Sequence, residues 1–156
     1  MAEKILVPLD GSMVGEAALP YVEELAVKMK PGTKVEVTLI QVLSSLTYYV
    51  VAGEASARVP YTQQEIEQMK KQAETYLKKA GASLRKAGAT TKVRVAVGHS
   101  VEEIIKAAEE INVNIIAMSS HGRSGLSRWA FGSVTDRVLR SGQSPVLVVR
   151  APKKSS

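Results

Sequence analysis

Short apolar runs alternate with segments of helical period along the whole of this chain. Lys4 to Leu9 is apolar and closes on Asp10-Gly11-Ser12, which reads as a buried strand ending in a turn. Ala17, Leu19, Val22, Leu25, Ala26 and Met29 then recur at helical spacing until Pro31-Gly32 stops the pattern. Pro20 lies inside that segment and has no amide hydrogen, so the helix either kinks there or begins about one turn earlier. Val35 to Leu43, rich in β-branched residues, is the second strand. Thr62-Gln63-Gln64-Glu65 has the form of a capping box and opens a long helix to about Ala87, which Gly88 ends. Val93, Val95 and Val97 alternate with polar or small residues in a third strand, Thr91 to Val97. Ser100-Val101-Glu102-Glu103 repeats the capping pattern ahead of a helix through Ile111, and Val113 to Met118 is the fourth strand. Ser133 to Arg140 reads as a short helix and Pro145 to Val149 as the last strand. Parallel neighbours need crossover connections, so five strands separated by helices specify an α/β fold. The expectation is one doubly wound parallel sheet with helices on both faces.

The segment from Ser44 to Tyr61 has no clear period, and an irregular stretch of that length is more often a lid or binding loop than a connection. Its Tyr48, Tyr49, Val50 and Val51 fit a cover over a ligand, a dimer contact or plain packing. The 156 residues suffice for one domain, here 1–150, followed by a short polar tail, 151–156. With 45% hydrophobic and 23% charged residues the chain is a soluble globular protein, and no apolar run approaches the ~18–20 residues that span a bilayer. The N-terminal stretch lacks the long apolar core of a signal peptide, so the expected location is the cytoplasm. Absence of Cys excludes disulfides, thiolate metal sites and Cys nucleophiles. A net charge of +6 favours anionic partners. Nucleic acid is disfavoured among them, because Lys70, Lys71, Lys78 and Lys79 interleave with Glu65, Glu67 and Glu74 and aromatics make up only 4%.

Ligands of open α/β sheets sit beyond the carboxyl ends of the strands, where strand order reverses. Three strand ends here are polar or glycine-rich: Pro8 to Ser12, Val42 to Ser45 and Ser119 to Gly125. The last leads to Gly132-Ser133 at a helix start, where unpaired amides and the helix dipole favour phosphate. Gly122 and Gly125 let backbone approach an anion; Ser124, Ser133 and Thr135 offer hydroxyls; Arg123 and Arg128 add charge. A plain turn with Ser133 as N-cap accounts for the same residues, and Asp10 fits a local cap as well as a ligand contact. His121 is a candidate general base without a paired acid in sequence, and His99 has no visible metal partner. No cluster has metal-ligand spacing, so a metal would be Mg²⁺ arriving with phosphates. Trp129 and Phe131 fit core or interface anchors better than base-stacking residues.

Ser119, two residues, Gly122, nine residues, then Gly132-Ser133 resembles the nucleotide motif of the universal stress protein family, with Ser119 in place of the motif's first glycine. The resemblance extends to Ile5 through Ser12, to Gln41-Val42 and to Ser144 through Val149, and so spans nearly the whole chain. It implies a five-stranded sheet in order 3-2-1-4-5 and an ATP or other adenine nucleotide site. In that site Asp10 would hold the ribose, Pro8 and Val42 would border the adenine, and Met118 and Ser119 would lie beneath the ribose. Gly122, Arg123, Ser124, Gly125, Gly132, Ser133, Val134 and Thr135 would cradle the phosphates. It further implies a homodimer through the last strand, Val146, Leu147, Val148 and Val149, in a protein of stress response or signalling that meets an unidentified protein partner. Slow ATP hydrolysis using His121 or Asp10, or an interaction module with an empty site, are the competing readings.

Overall fold

The computed structural model describes residues 2–121 and 131–152. Strand β1 (Ala2–Pro8) is flanked by β2 (Lys34–Leu43) and β6 (Ile115–Ser119), with β5 (Thr90–Val97) beyond β2 and β7 (Val146–Val149) beyond β6. All four pairings are parallel. Counted within this sheet alone, the order is 3-2-1-4-5. The chain builds outward from β1 on one side and then returns to build on the other, so the reversal falls between β1 and β6.

Side chains alternate across each strand and feed two cores. Ile5, Val7 and Leu9 of the first strand and its end, with Val35, Val37 and Leu39 of β2, face Leu19 and Val22 of α1 (Ala18–Lys28). Leu77 of α2 (Gln63–Ala80) and Leu84 of α3 (Ala82–Lys86) complete that layer. Leu6, Ile40, Ile116 and Met118 face the other way, against Val101, Ile104 and Ala107 of α4 (Ser100–Ile111) and Val138 of α5 (Ser133–Ser141). Leu6, Val7, Leu39 and Ile40 are wholly excluded from solvent, and each contributes ~1.5–3 kcal/mol by burial.

Several local expectations are met and several are corrected. Pro20 is the third residue of α1, preceded by a 3-10 turn over Val14–Ala17, so its missing amide falls among those with no helical acceptor and no kink is needed. The capping box at Thr62 forms in both directions: the Glu65 amide donates to Thr62 Oγ1 (3.2 Å) and the Thr62 amide to Glu65 Oε2 (2.7 Å). The long helix expected to run to Ala87 breaks at Gly81, where a Cβ would stand 3.0 Å from Leu39 Cδ1 of the sheet. The second capping box does not form, because α4 starts one residue early. His99 takes the N-cap position and makes no side-chain cap bond, which leaves Ser100 inside the helix.

The largest correction concerns Ser44 to Tyr61, which is not irregular. It holds an antiparallel hairpin, β3 (Thr47–Ala52) and β4 (Ala55–Pro60), separate from the main sheet. Gly53, at φ +64°, supplies the turn. Tyr49 and Val51 stay 67% and 70% exposed. The Arg58 guanidinium lies over the Tyr49 ring, 5.5 Å from its centre.

Candidate functional site

Beyond the carboxyl ends of β1, β2 and β6 lies a cleft of about 560 Å³. Its walls bring together Pro8, Asp10, Val42, Met118, Ser119, Gly132, Ser133, Val134 and Thr135 from segments far apart in sequence. The reversal between β1 and β6 is what gathers them, since it leaves no crossover helix to cover that point. Gly122, Arg123, Ser124 and Gly125, with Arg128 and Trp129, lie outside the described residues. Phe131 is 48% exposed, which excludes it as a core anchor.

Asp10 does the local work that an aspartate at a turn is expected to do. Its Oδ1 accepts from the Ser12 amide (2.9 Å) and the Ser12 hydroxyl (2.6 Å), and that hydroxyl in turn accepts from the Gly15 amide (3.0 Å). The same carboxylate borders the cleft. Gly15 is the residue that lets it do both. A Cβ on Gly15 would stand 2.5 Å from Asp10 Oδ1, closer than two such atoms can come.

Ser119 is 5% exposed, and its hydroxyl donates to the Val14 carbonyl (2.8 Å), tying β6 to the 3-10 turn. Its own carbonyl accepts from Thr135 Oγ1 (2.9 Å), which anchors the start of α5. Thr135 is therefore a structural clasp, its hydroxyl spent on Ser119 rather than offered to the cleft. The Gly132 amide donates to the Ser120 carbonyl (2.8 Å) and the Asp136 amide to the Gly132 carbonyl (2.9 Å). No side chain caps α5, so the plain N-cap role for Ser133 is not what forms. Between those two bonds, the amides of Ser133, Val134 and Thr135 have no acceptor among the described residues. They are the orphan donors of a helix start, and they open on the cleft beside Asp10.

The profile of the universal stress protein family matches residues 1–150. The chain belongs to the universal stress protein family. Among its relatives, universal stress protein MJ0577 of Methanocaldococcus jannaschii is 31% identical over 159 residues, covering 96% of each chain. Universal stress protein YxiE of Bacillus subtilis is 29% identical over 157 residues, covering 96% of this chain and all of its own. The solved structure of MJ0577 superposes with a TM-score of 0.74 at 30% identity, covering 99% of this chain and 98% of that one. A universal stress protein solved with cAMP shares the fold at 21% identity, with a TM-score of 0.62 and coverage of 96% and 98%.

Within this universal stress protein fold, sequence reasoning missed the residues that reach the cleft from helices and from the hairpin base. Ser100 and Ile104 come from the first turns of α4, Met69 from α2, and Tyr61 from the end of the hairpin. The Tyr61 amide closes the hairpin base onto the Leu46 carbonyl (2.9 Å), and its ring lies 5.0 Å from that of Tyr48. Gln41 also borders the cleft, and its Oε1 is buried without a hydrogen-bond partner among the described residues. Among the described residues no three His, Asp or Glu side chains group as a metal site, and no helix is long and apolar enough to cross a membrane.

Proposed function

We propose that the cleft binds an adenine nucleotide, ATP foremost, and that the bound nucleotide alters the protein's conformation and partner contacts in stress response or signalling. The observation that carries this reading is the uncapped start of α5, whose orphan amides open on the same cleft as Asp10. The Ser133, Val134 and Thr135 amides and the dipole of the helix that begins at Gly132 suit phosphates, Asp10 suits ribose hydroxyls, and Pro8, Val42 and Met118 supply apolar walls for the base. Gly122, Arg123, Ser124 and Gly125 belong to the same phosphate cradle in this reading, and Mg²⁺ would arrive on the phosphates. Proteins of this fold solved with cAMP, dAMP and AMP support the ligand class. The hairpin rises from the cleft rim through Tyr61, which makes it the element whose position a bound nucleotide would bias.

The assembly proposed is a homodimer through β7. The opposite edge strand, β5, carries Lys92 and Arg94, which discourage edge pairing, whereas Val146, Leu147, Val148 and Val149 carry no charge.

Thermal unfolding of nucleotide-stripped protein with and without millimolar Mg-ATP tests the site. A ligand at ~100 times its dissociation constant adds about 2.7 kcal/mol to native stability. The midpoint should rise for the parent protein and not for Gly132→Val or Asp10→Ala, each compared with its own ligand-free midpoint. A parent protein unmoved by every adenine nucleotide tried would refute the proposal in favour of an interaction module with an empty site.

A further inference from the structure

We infer that the Ser120 hydroxyl holds His121 as its Nε2–H tautomer, so that the imidazole meets an anionic ligand in the cleft as a hydrogen-bond donor and is not a general base there. The inference comes from accounting for one buried hydroxyl. Ser120 is 5% exposed, and its Oγ has two partners, the Ala151 amide at 2.9 Å and His121 Nδ1 at 3.1 Å. A backbone amide can only donate, so Oγ is the acceptor in the first contact. The hydroxyl proton then has one acceptor among the described residues, the Nδ1 lone pair. If Nδ1 carried a proton instead, Oγ would accept twice and its own O–H would be buried unsatisfied, at a cost of about 1–3 kcal/mol.

The geometry that orders Ser120 comes from the far end of the fold. Its amide donates to the Val149 carbonyl (2.8 Å), and the chain leaving β7 turns so that Ala151 meets its hydroxyl. His121 is the next residue and lines the cleft. With Nδ1 taken as an acceptor, the proton of the neutral ring sits on Nε2, and that nitrogen has no lone pair with which to take a proton from water. Its role toward a polyphosphate is therefore binding. This assignment of role rests on the nucleotide reading above; the tautomer does not.

The test begins without nucleotide. Long-range ¹H–¹⁵N spectra of labelled protein at about pH 8, above the ordinary imidazole range, report which ring nitrogen is protonated. The chain has 2 His, so His99→Gln assigns the His121 signals. The Nε2–H pattern is expected, with Ser120→Ala moving it toward the average of two exchanging tautomers. An Nδ1–H pattern in the parent protein, or signals unmoved by Ser120→Ala, overturns the inference. Mg-ATP titration then compares His121→Ala, expected to bind about tenfold more weakly for a lost bond to a charged group, with His121→Gln, whose amide restores a donor and most of the affinity. A His121→Gln protein that binds normally but loses a hydrolysis shown by the parent makes His121 a base and overturns the inference. Protein that shows the Nε2–H pattern yet binds no adenine nucleotide keeps the lock and overturns the binding role together with the nucleotide reading.

Discussion

Restoring a glycine at position 119 separates two accounts of this site. By motif spacing, Ser119 stands where the family pattern has its first glycine, and Ser119→Gly should let a nucleotide come closer. The structure points the other way. The Ser119 side chain is buried and its hydroxyl bonds the Val14 carbonyl at 2.8 Å, so its Cβ is already accommodated and its oxygen fastens the 3-10 turn that carries Gly15 to Asp10. Removing that bond costs about 0.5–1.5 kcal/mol, and a glycine within a strand costs a further 0.5–1 kcal/mol or so. The sum, roughly 1–2.5 kcal/mol, corresponds to a fall of about 2–10 °C in midpoint for a chain of this size. Urea unfolding should show a lower midpoint concentration at unchanged slope, since the surface exposed is the same. Affinity for Mg-ATP, measured by calorimetry, should not improve. A Ser119→Gly protein as stable as its parent that binds tenfold more tightly, a gain of about 1.4 kcal/mol, would refute the reasoning.

Gly15→Ala forces the Asp10 carboxylate out of its turn, because the new Cβ would stand 2.5 Å from Oδ1; a loss of about 1–3 kcal/mol in urea unfolding is expected, with a smaller nucleotide-induced rise in midpoint. The Tyr76 hydroxyl is buried with no hydrogen bond of ordinary geometry among the described residues, although the Glu16 carboxylate and the Gly11 backbone stand close enough to act on it; burial foremost, then the Glu16 and Asp10 carboxylates, push its phenol well above the ordinary range. Its contribution to stability is therefore full below about pH 10 and is lost as pH rises beyond that, where the unfolded chain ionises first. Tyr76→Phe should be as stable as the parent or about 1 kcal/mol more so at neutral pH, with a shallower decline in alkali; a marked loss at neutral pH would show that the hydroxyl has a partner after all. Thr62→Ala removes one arm of the capping box and should lower stability by about 0.5–2 kcal/mol, read from urea midpoints. Val148→Lys places a charge on the unguarded edge and should turn the proposed dimer into a monomer by analytical ultracentrifugation.

What could be read from the sequence follows from how each residue arrives at its place. The five strands of the main sheet were legible because four are compact apolar runs between turn signals and Thr91 to Val97 alternates Val with polar or small residues, and the strand order implied by the family resemblance then indicated where Pro8, Asp10, Val42 and Ser119 would converge. The hairpin was not legible by the same means. Tyr48-Tyr49-Val50-Val51 is continuously apolar rather than alternating, yet paired with β4 it sorts into two faces: Tyr48, Val50 and Ala52 oppose Val59, Ala57 and Ala55, while Tyr49 opposes Arg58. The signal that could have found it is Gly53-Glu54, a two-residue turn opening on glycine between two runs of six residues each. The second capping box failed for a different reason, since the motif was present and the helix started one residue before it.

Cleft residues divide in the same way. Those at strand ends are placed by topology: alternation of strand and helix specified a parallel sheet, and the family resemblance supplied its strand order. Ser100, Ile104, Met69 and Tyr61 are placed by packing of helices and hairpin onto the sheet, and Gly15 by a close approach that exists only once Asp10 has turned toward Ser12. Ser120 is the furthest case. Its neighbour His121 is one partner of its hydroxyl, but the partner that decides which way the hydroxyl proton points is the backbone of Ala151, 31 residues on, delivered by the exit of the last strand. The protonation of His121 thus depends on a contact that parallel pairing of β6 and β7 creates, which is why spacing alone left His121 open between base and bystander.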